Sequence, residues 1–251
     1  MSEEITESIA RRVLDVVDAG LVQGVGEPVP GEMCVEAAVC YALGLPHGDE
    51  PPCVAPAVRR LKIQLNDARW SSPQARARGL RRLAIASLGS AGALDEIEFR
   101  HRVARLAIQT CVPTALRAVA RRHAGAQRER LLQAAELCER EPTRNNALKA
   151  RATAAAAAAY YAADAYYVAA AAASAYYAAV AAADAAAAAD AAAAAADAYY
   201  DAVADADAHL SDFAERVVQV LIDLGAPGRA FLYLTDEQES PRHERLSPSP
   251  D

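Results

Sequence analysis

Cys34, Cys40, His47 and Cys53 lie within 20 residues in the pattern C-x5-C-x6-H-x5-C. Thiolates and imidazole are the ligands of tetrahedral zinc, but short C-x2-4-C knuckles are the usual way to make four of them converge. On a helix Cys34 and Cys40 sit about 240° apart around the axis. The cluster therefore reads first as small buried thiols plus a loop histidine, with Cys34, Cys40, His47 and Cys53 as a weak metal candidate only. His47-Gly48-Asp49-Glu50 sets an imidazole beside two carboxylates, a combination able to move protons or hold a cation. No nucleophile motif, Gly-rich phosphate loop or H-E-x-x-H accompanies it, so no catalytic residue and no cofactor is assigned, and the chain leans away from an enzyme.

The arginines are the stronger binding candidates. Arg76, Arg78, Arg81 and Arg82 lie within seven residues, and Arg117, Arg121 and Arg122 decorate a later segment. Such faces suit phosphate contacts, which makes nucleic acid the alternative partner. Two other uses compete: solvated helix faces, and pairing with the acidic part of the same chain.

The third set is aromatic. Tyr166, Tyr177 and Tyr199 are 11 and 22 residues apart, and 11 residues return within about 20° on an ideal helix. On one continuous helix they form a stripe suited to packing against a partner protein or a second copy.

The elements that must position these residues read as helical throughout. Ile5, Ile9, Val13, Val16 and Val17 recur every three or four residues, giving a helix over 3–19 that stops at Gly20. Further helices are expected over 32–43, from Pro56 to about Arg69, and over 73–88 behind the Ser72-Pro73 start, with Gly89 as the stop. Asp95 opens another with Ile97, Val103, Leu106, Ala107 and Cys111 inward. Pro113 is expected to reorient the chain before helices near 114–123 and 126–140. Phe213, Val217, Val220, Leu221 and Leu224 form a late apolar stripe, Phe231 to Leu234 a short extended segment, and Ser240 onward a disordered tail.

Between Ala152 and Ala208, 37 of 57 residues are Ala and the rest are only Tyr, Asp, Val, Ser or Thr. Ala, Asp, Val, Ser and Thr are one base apart around a GCN codon, so the tract reads first as a repeat expansion. Nothing from Thr143 to Leu224 is Gly or Pro, and Ala is the best helix former, so one uninterrupted helix of about 120 Å is locally allowed. A hairpin that shelters the Tyr rings is the alternative.

Charge is unevenly spread. Residues 1–151 hold 22 Lys/Arg against 18 Asp/Glu, whereas 152–208 hold seven Asp and no cation, within an overall −7. Seven Asp without Lys or Arg argue against Tyr stacking on single-stranded nucleic acid along the tract. Asp164, Asp184, Asp190, Asp197 and Asp201 interrupt it too often for a membrane span. With Glu3, Glu4 and Glu7 at the start and an odd five cysteines, a cytoplasmic protein with reduced thiols and no membrane partner is expected.

Cys34-Val35-Glu36-Ala37-Ala38-Val39-Cys40, Gly44-Leu45-Pro46-His47, Leu65-Asn66-Asp67, Trp70-Ser71-Ser72-Pro73 and Gly79 to Ala86 are shared features of a recognisable kind. With the Ala/Tyr/Asp tract, Val220 to Leu224 and Ala226-Pro227-Gly228, the chain resembles a group of uncharacterised bacterial and phage hypothetical proteins. The resemblance spans most of 31–234, implies a phage or mobile-element association, and carries no assigned chemistry.

The expected architecture is all-α: a bundle of about seven short helices over 1–142, an Ala/Tyr/Asp arm over 143–210, an amphipathic helix and short extended segment over 211–235, and a tail over 236–251. The expected function is a non-enzymatic structural or interaction protein whose arm spaces or oligomerises. The alternative is a nucleic-acid-binding module built on helices 73–130.

Overall fold

The computed structural model describes residues 5–158, 165–181, 185–197 and 203–236. Within them the protein is all-α, and the sole β feature is an isolated bridge between Gly26 and Met33. The helices are α1 (Glu7–Asp18), α2 (Val35–Ala42), α3 (Pro56–Asp67), α4 (Pro73–Ala86), α5 (Glu96–Ala120), α6 (Gly125–Arg140), α7 (Arg144–Ala158), α8 (Ala165–Val180), α9 (Ala186–Asp197) and α10 (Val203–Asp223), followed by a 3-10 helix, Pro227–Thr235.

Their starts are set by local chemistry. Side-chain oxygens of Thr6, Ser72 and Asp95 accept from amides of the first turns of α1, α4 and α5, supplying partners to N–H groups that have none within the helix. Helix α3 has no cap of its own; instead Glu96 Oε2 accepts from Ala57 N at 2.8 Å, and Ser90 Oγ accepts from Ala55 N at 2.9 Å.

Pro113 does not turn the chain. It lies inside the 25-residue α5, where proline removes one backbone bond and crowds the preceding turn. Burial on several sides offsets that cost: Cys111, Val112, Pro113, Ala115 and Leu116 are all buried, and α5 packs against α6, α8, α9 and α10. Ile97, expected inward, is 60 % exposed, and Phe99 takes the core position. The segment Phe231–Leu234 is part of the 3-10 helix, not an extended strand, with Leu232 and Leu234 buried against α4 and α1.

The Ala-rich tract is not one straight helix. It forms the end of α7, then α8, α9 and the start of α10, with α8 packed on both α7 and α9. Nor does it stand apart from the front of the chain: α8 and α9 lie on α5, and α9 also lies on α3. Ala171, Ala175, Ala188, Ala191, Ala192 and Ala195 are fully buried. Their methyl groups let neighbouring backbones approach closely, so an all-Ala face fills a narrow interior layer that Leu would overfill. Among the described residues, no helix is long and apolar enough to cross a membrane.

Candidate functional site

Helix α2 is apolar except for Glu36, and in α3 Lys62 falls on the face that also carries Val58, Leu61 and Leu65. Both charged side chains are wholly buried. Lys62 Nζ donates to Glu36 Oε2 at 3.1 Å and to Ser87 Oγ at 2.7 Å, and Ser87 Oγ donates to Ala84 O at 2.9 Å. Burial pushes the Glu36 carboxyl up, against the pull of the Lys62 ammonium. Glu36 Oε1 has no hydrogen-bond partner.

A serine in contact with a lysine is the arrangement of Ser-Lys nucleophilic catalysis. Here Glu36, Lys62 and Ser87 are each 0 % exposed, so no substrate reaches the hydroxyl, and the cluster ties α2, α3 and α4 together. Sequence reading passed over it, although a lone acid in an apolar helix and a lysine on an apolar face were both visible.

The thiols surround this cluster without forming a metal centre. Cys34 caps α2, its Sγ accepting from Ala37 N at 3.3 Å. Cys40 and Cys53 are buried, whereas His47 is exposed, its Nε2 2.9 Å from the Gly26 carbonyl. Among the described residues, no group of three His, Cys, Asp or Glu side chains converges as metal ligands. Burial, with Glu36 adding to it, pushes the Cys40 thiol up to about 11. Burial likewise raises Cys34 and Cys53, and carries Cys111 to about 12. Thiols held protonated in this way are poor nucleophiles and poor ligands at neutral pH.

Of the predicted arginine face, Arg76 is buried, and Arg81, Arg82 and Arg117 are half-buried and tied to other parts of the chain. Arg76 is buried and donates through Nε to Asn66 O at 2.7 Å and through a terminal nitrogen to Leu21 O at 2.9 Å. Arg81 clasps both carboxylate oxygens of Asp18, at 2.7 and 3.0 Å, and also donates to Thr235 O. Arg82 bonds Glu215, Thr235 and Asp236. Arg117 makes a two-pronged contact with Glu139 at 2.5 and 2.7 Å, which holds that carboxyl below its usual range. These forks lock α4 to α1, α10 and the 3-10 helix, and α5 to α6. Arg78, Arg121 and Arg122 are exposed.

Around the same hub, Asn66 Oδ1 accepts from Val35 N at 3.2 Å while its amide donates to Val22 O at 2.8 Å. Trp70 Nε1 donates to Leu65 O at 2.9 Å. Ser71 N donates to Asp207 Oδ1 at 2.9 Å, and its hydroxyl donates to Asp207 Oδ2.

Of the aromatic stripe, Tyr177 lies on α8, 37 % exposed, beside Tyr176 at 42 %. Their rings meet edge to face, 5.6 Å between centroids, and the Arg151 guanidinium sits 4.7 Å above the Tyr176 ring. Tyr166 is also on α8, but its ring and all of Tyr199 lie outside the described residues. The single helix that would align Tyr166, Tyr177 and Tyr199 does not form, because α8 and α9 are separate and pack on each other. What replaces the stripe is a groove of about 390 Å³ between α8 and α9, walled by Ala169, Ala173, Ala193 and Tyr177 and edged by Asp190 and Asp197. Burial raises the Asp197 carboxyl, with Arg69 opposing.

Comparison with protein-family models, curated proteins and solved structures gives no match.

Proposed function

We propose that the protein is a non-enzymatic interaction protein of the cytoplasm, serving a phage or mobile element, and that the α8–α9 face receives a cationic helix of a partner protein. The observation carrying this reading is the pair of adjacent exposed rings, Tyr176 and Tyr177, beside an Ala-walled groove with two aspartates on its edge. Alanine walls allow a helix axis to come close, and exposed tyrosines offer large, stiff contact area of the kind that anchors interfaces. Asp190 and Asp197 favour a positively charged guest. The engaged state of Arg76, Arg81, Arg82 and Arg117 favours this reading over nucleic-acid binding. Burial of Glu36, Lys62 and Ser87 favours it over catalysis. The phage or mobile-element setting rests on the sequence resemblance.

Photo-crosslinking in the native host tests it. A photoreactive residue at Ala173, in the groove, is expected to give a discrete adduct that is absent from the exposed Ala152 and lost with Tyr177→Ser. An adduct containing a basic helix supports the reading, and one of two copies of this chain identifies self-association through the same face. No adduct above the Ala152 background rejects it.

A further inference from the structure

Arg151 is the last cation before residues 152–208, which hold seven Asp and no Lys or Arg. Among the described residues it makes no hydrogen bond or ion pair, although it borders the most acidic part of the chain. Its guanidinium lies instead 4.7 Å above the centre of the Tyr176 ring. A guanidinium carries five N–H donors, and attraction to the ring face uses none of them. Arg151 is exposed, so those donors are open to an acceptor brought by another molecule.

The position of Arg151 follows from the order of the helices. Helix α8 packs on both α7 and α9. Arg151 on α7, Tyr176 and Tyr177 on α8, and Asp190 and Asp197 on α9 therefore follow one another across the surface. Tyr177 lines the groove shared with α9. Tyr176 is the next residue along, about 100° round α8, and is turned to the α7 side beneath Arg151. The two rings meet edge to face, 5.6 Å between centroids. Aspartates thus mark the α9 edge of the docking face, and a guanidinium without a carboxylate partner marks the α7 edge.

We infer that Arg151 selects the guest of this groove by receiving a carboxylate from it, so that the docking helix carries its cations on one flank of an apolar stripe and an acid on the other. The inference rests on the α8–α9 docking reading and narrows it from a cationic helix to one with opposite charges on its two flanks. A guest basic on both flanks would set like charge against Arg151, which works against docking. A guanidinium fork matches a carboxylate in shape, and the ring beneath holds the fork in place before the guest arrives. Opposite flanks also fix the direction of the guest: turned end for end, the same helix would bring its acid to the aspartates and its cations to Arg151.

Photo-crosslinking from Ala173 in the native host, repeated with Arg151 replaced, tests this. Arg151→Glu is expected to lower the adduct about tenfold and Arg151→Gln severalfold, while Arg151→Lys keeps most of it. Arg78→Glu, the same charge change on an exposed position of α4, is expected to leave the adduct unchanged, and all four variants to melt near the parent temperature. Sequencing the crosslinked segment is expected to show Asp or Glu on one flank of its apolar stripe and Lys or Arg on the other. Replacing that acid by Arg in the guest is expected to restore the adduct with Arg151→Glu. An adduct as strong with Arg151→Glu as with the parent, a crosslinked segment without an acid, or a charge exchange that restores nothing overturns the inference and leaves the docking reading standing. No adduct from the parent chain rejects the docking reading, and this inference with it.

Discussion

Lys62 and Glu36 show how a residue's role follows from its surroundings. Each is an ordinary charged side chain, and each is fully enclosed, where an ion is tolerated only with an opposite charge in contact. Lys62→Met leaves the Glu36 carboxylate without its counter-ion, and is expected to destabilise the fold by about 3–5 kcal/mol. Lys62→Met combined with Glu36→Leu removes both charges and is expected to recover most of that loss. Thermal or denaturant unfolding of the two variants decides the matter: equal losses in both would mean that shape, not charge pairing, holds α2, α3 and α4 together. The five thiols follow the same logic, since burial alone commits them to packing.

At the scale of elements, the crossing of α4 and α10 depends on the absence of a side chain at Gly79. A Cβ there would lie inside contact distance of the Trp70 ring and 2.8 Å from Ser211 Oγ. The ring cannot swing away easily, because Trp70 Nε1 is bonded to Leu65 O and the side chain is buried. In an exposed helix Gly→Ala stabilises by about 1 kcal/mol. Here Gly79→Ala is expected to destabilise by about 1–3 kcal/mol through overpacking, seen as a fall in melting temperature of roughly 2–4 °C per kcal/mol. A rise in melting temperature would show that α10 does not seat at this crossing. Helix α5 makes the same point from the other side: Pro113 is a local signal to stop, overridden where it and its neighbours Cys111, Val112, Ala115 and Leu116 are all buried.

For the whole molecule the question is where the Ala-rich tract goes. Folded onto α3 and α5, the chain is expected to have a radius of gyration near that of a globular protein of its length, about 18 Å, whereas a straight 82-residue helix alone reaches about 120 Å. Small-angle scattering at low and high salt is expected to give the compact value at both. Deleting Ala181–Ala196 removes most of α9, with its contacts to α3, α5 and α8, and is expected to abolish cooperative unfolding. A deletion variant that melts cooperatively near the parent temperature would return the tract to the status of a spacer.

The sequence by itself determined what depends on neighbours along the chain. The helical class followed from composition and period. The starts at Ser72 and Asp95 followed from capping oxygens, and the break at Gly89 from a left-handed backbone, φ +72°. Tertiary structure alone decided the rest, because the partners are far apart in sequence: 26 residues for Lys62 and Glu36, 63 for Arg81 and Asp18, 133 for Arg82 and Glu215. An exposed arginine and a stapling arginine look alike in a local window. An Ala-rich helix likewise has the same local propensity whether it runs straight or folds back, so only the interior layer available against α3 and α5 selected the folded form.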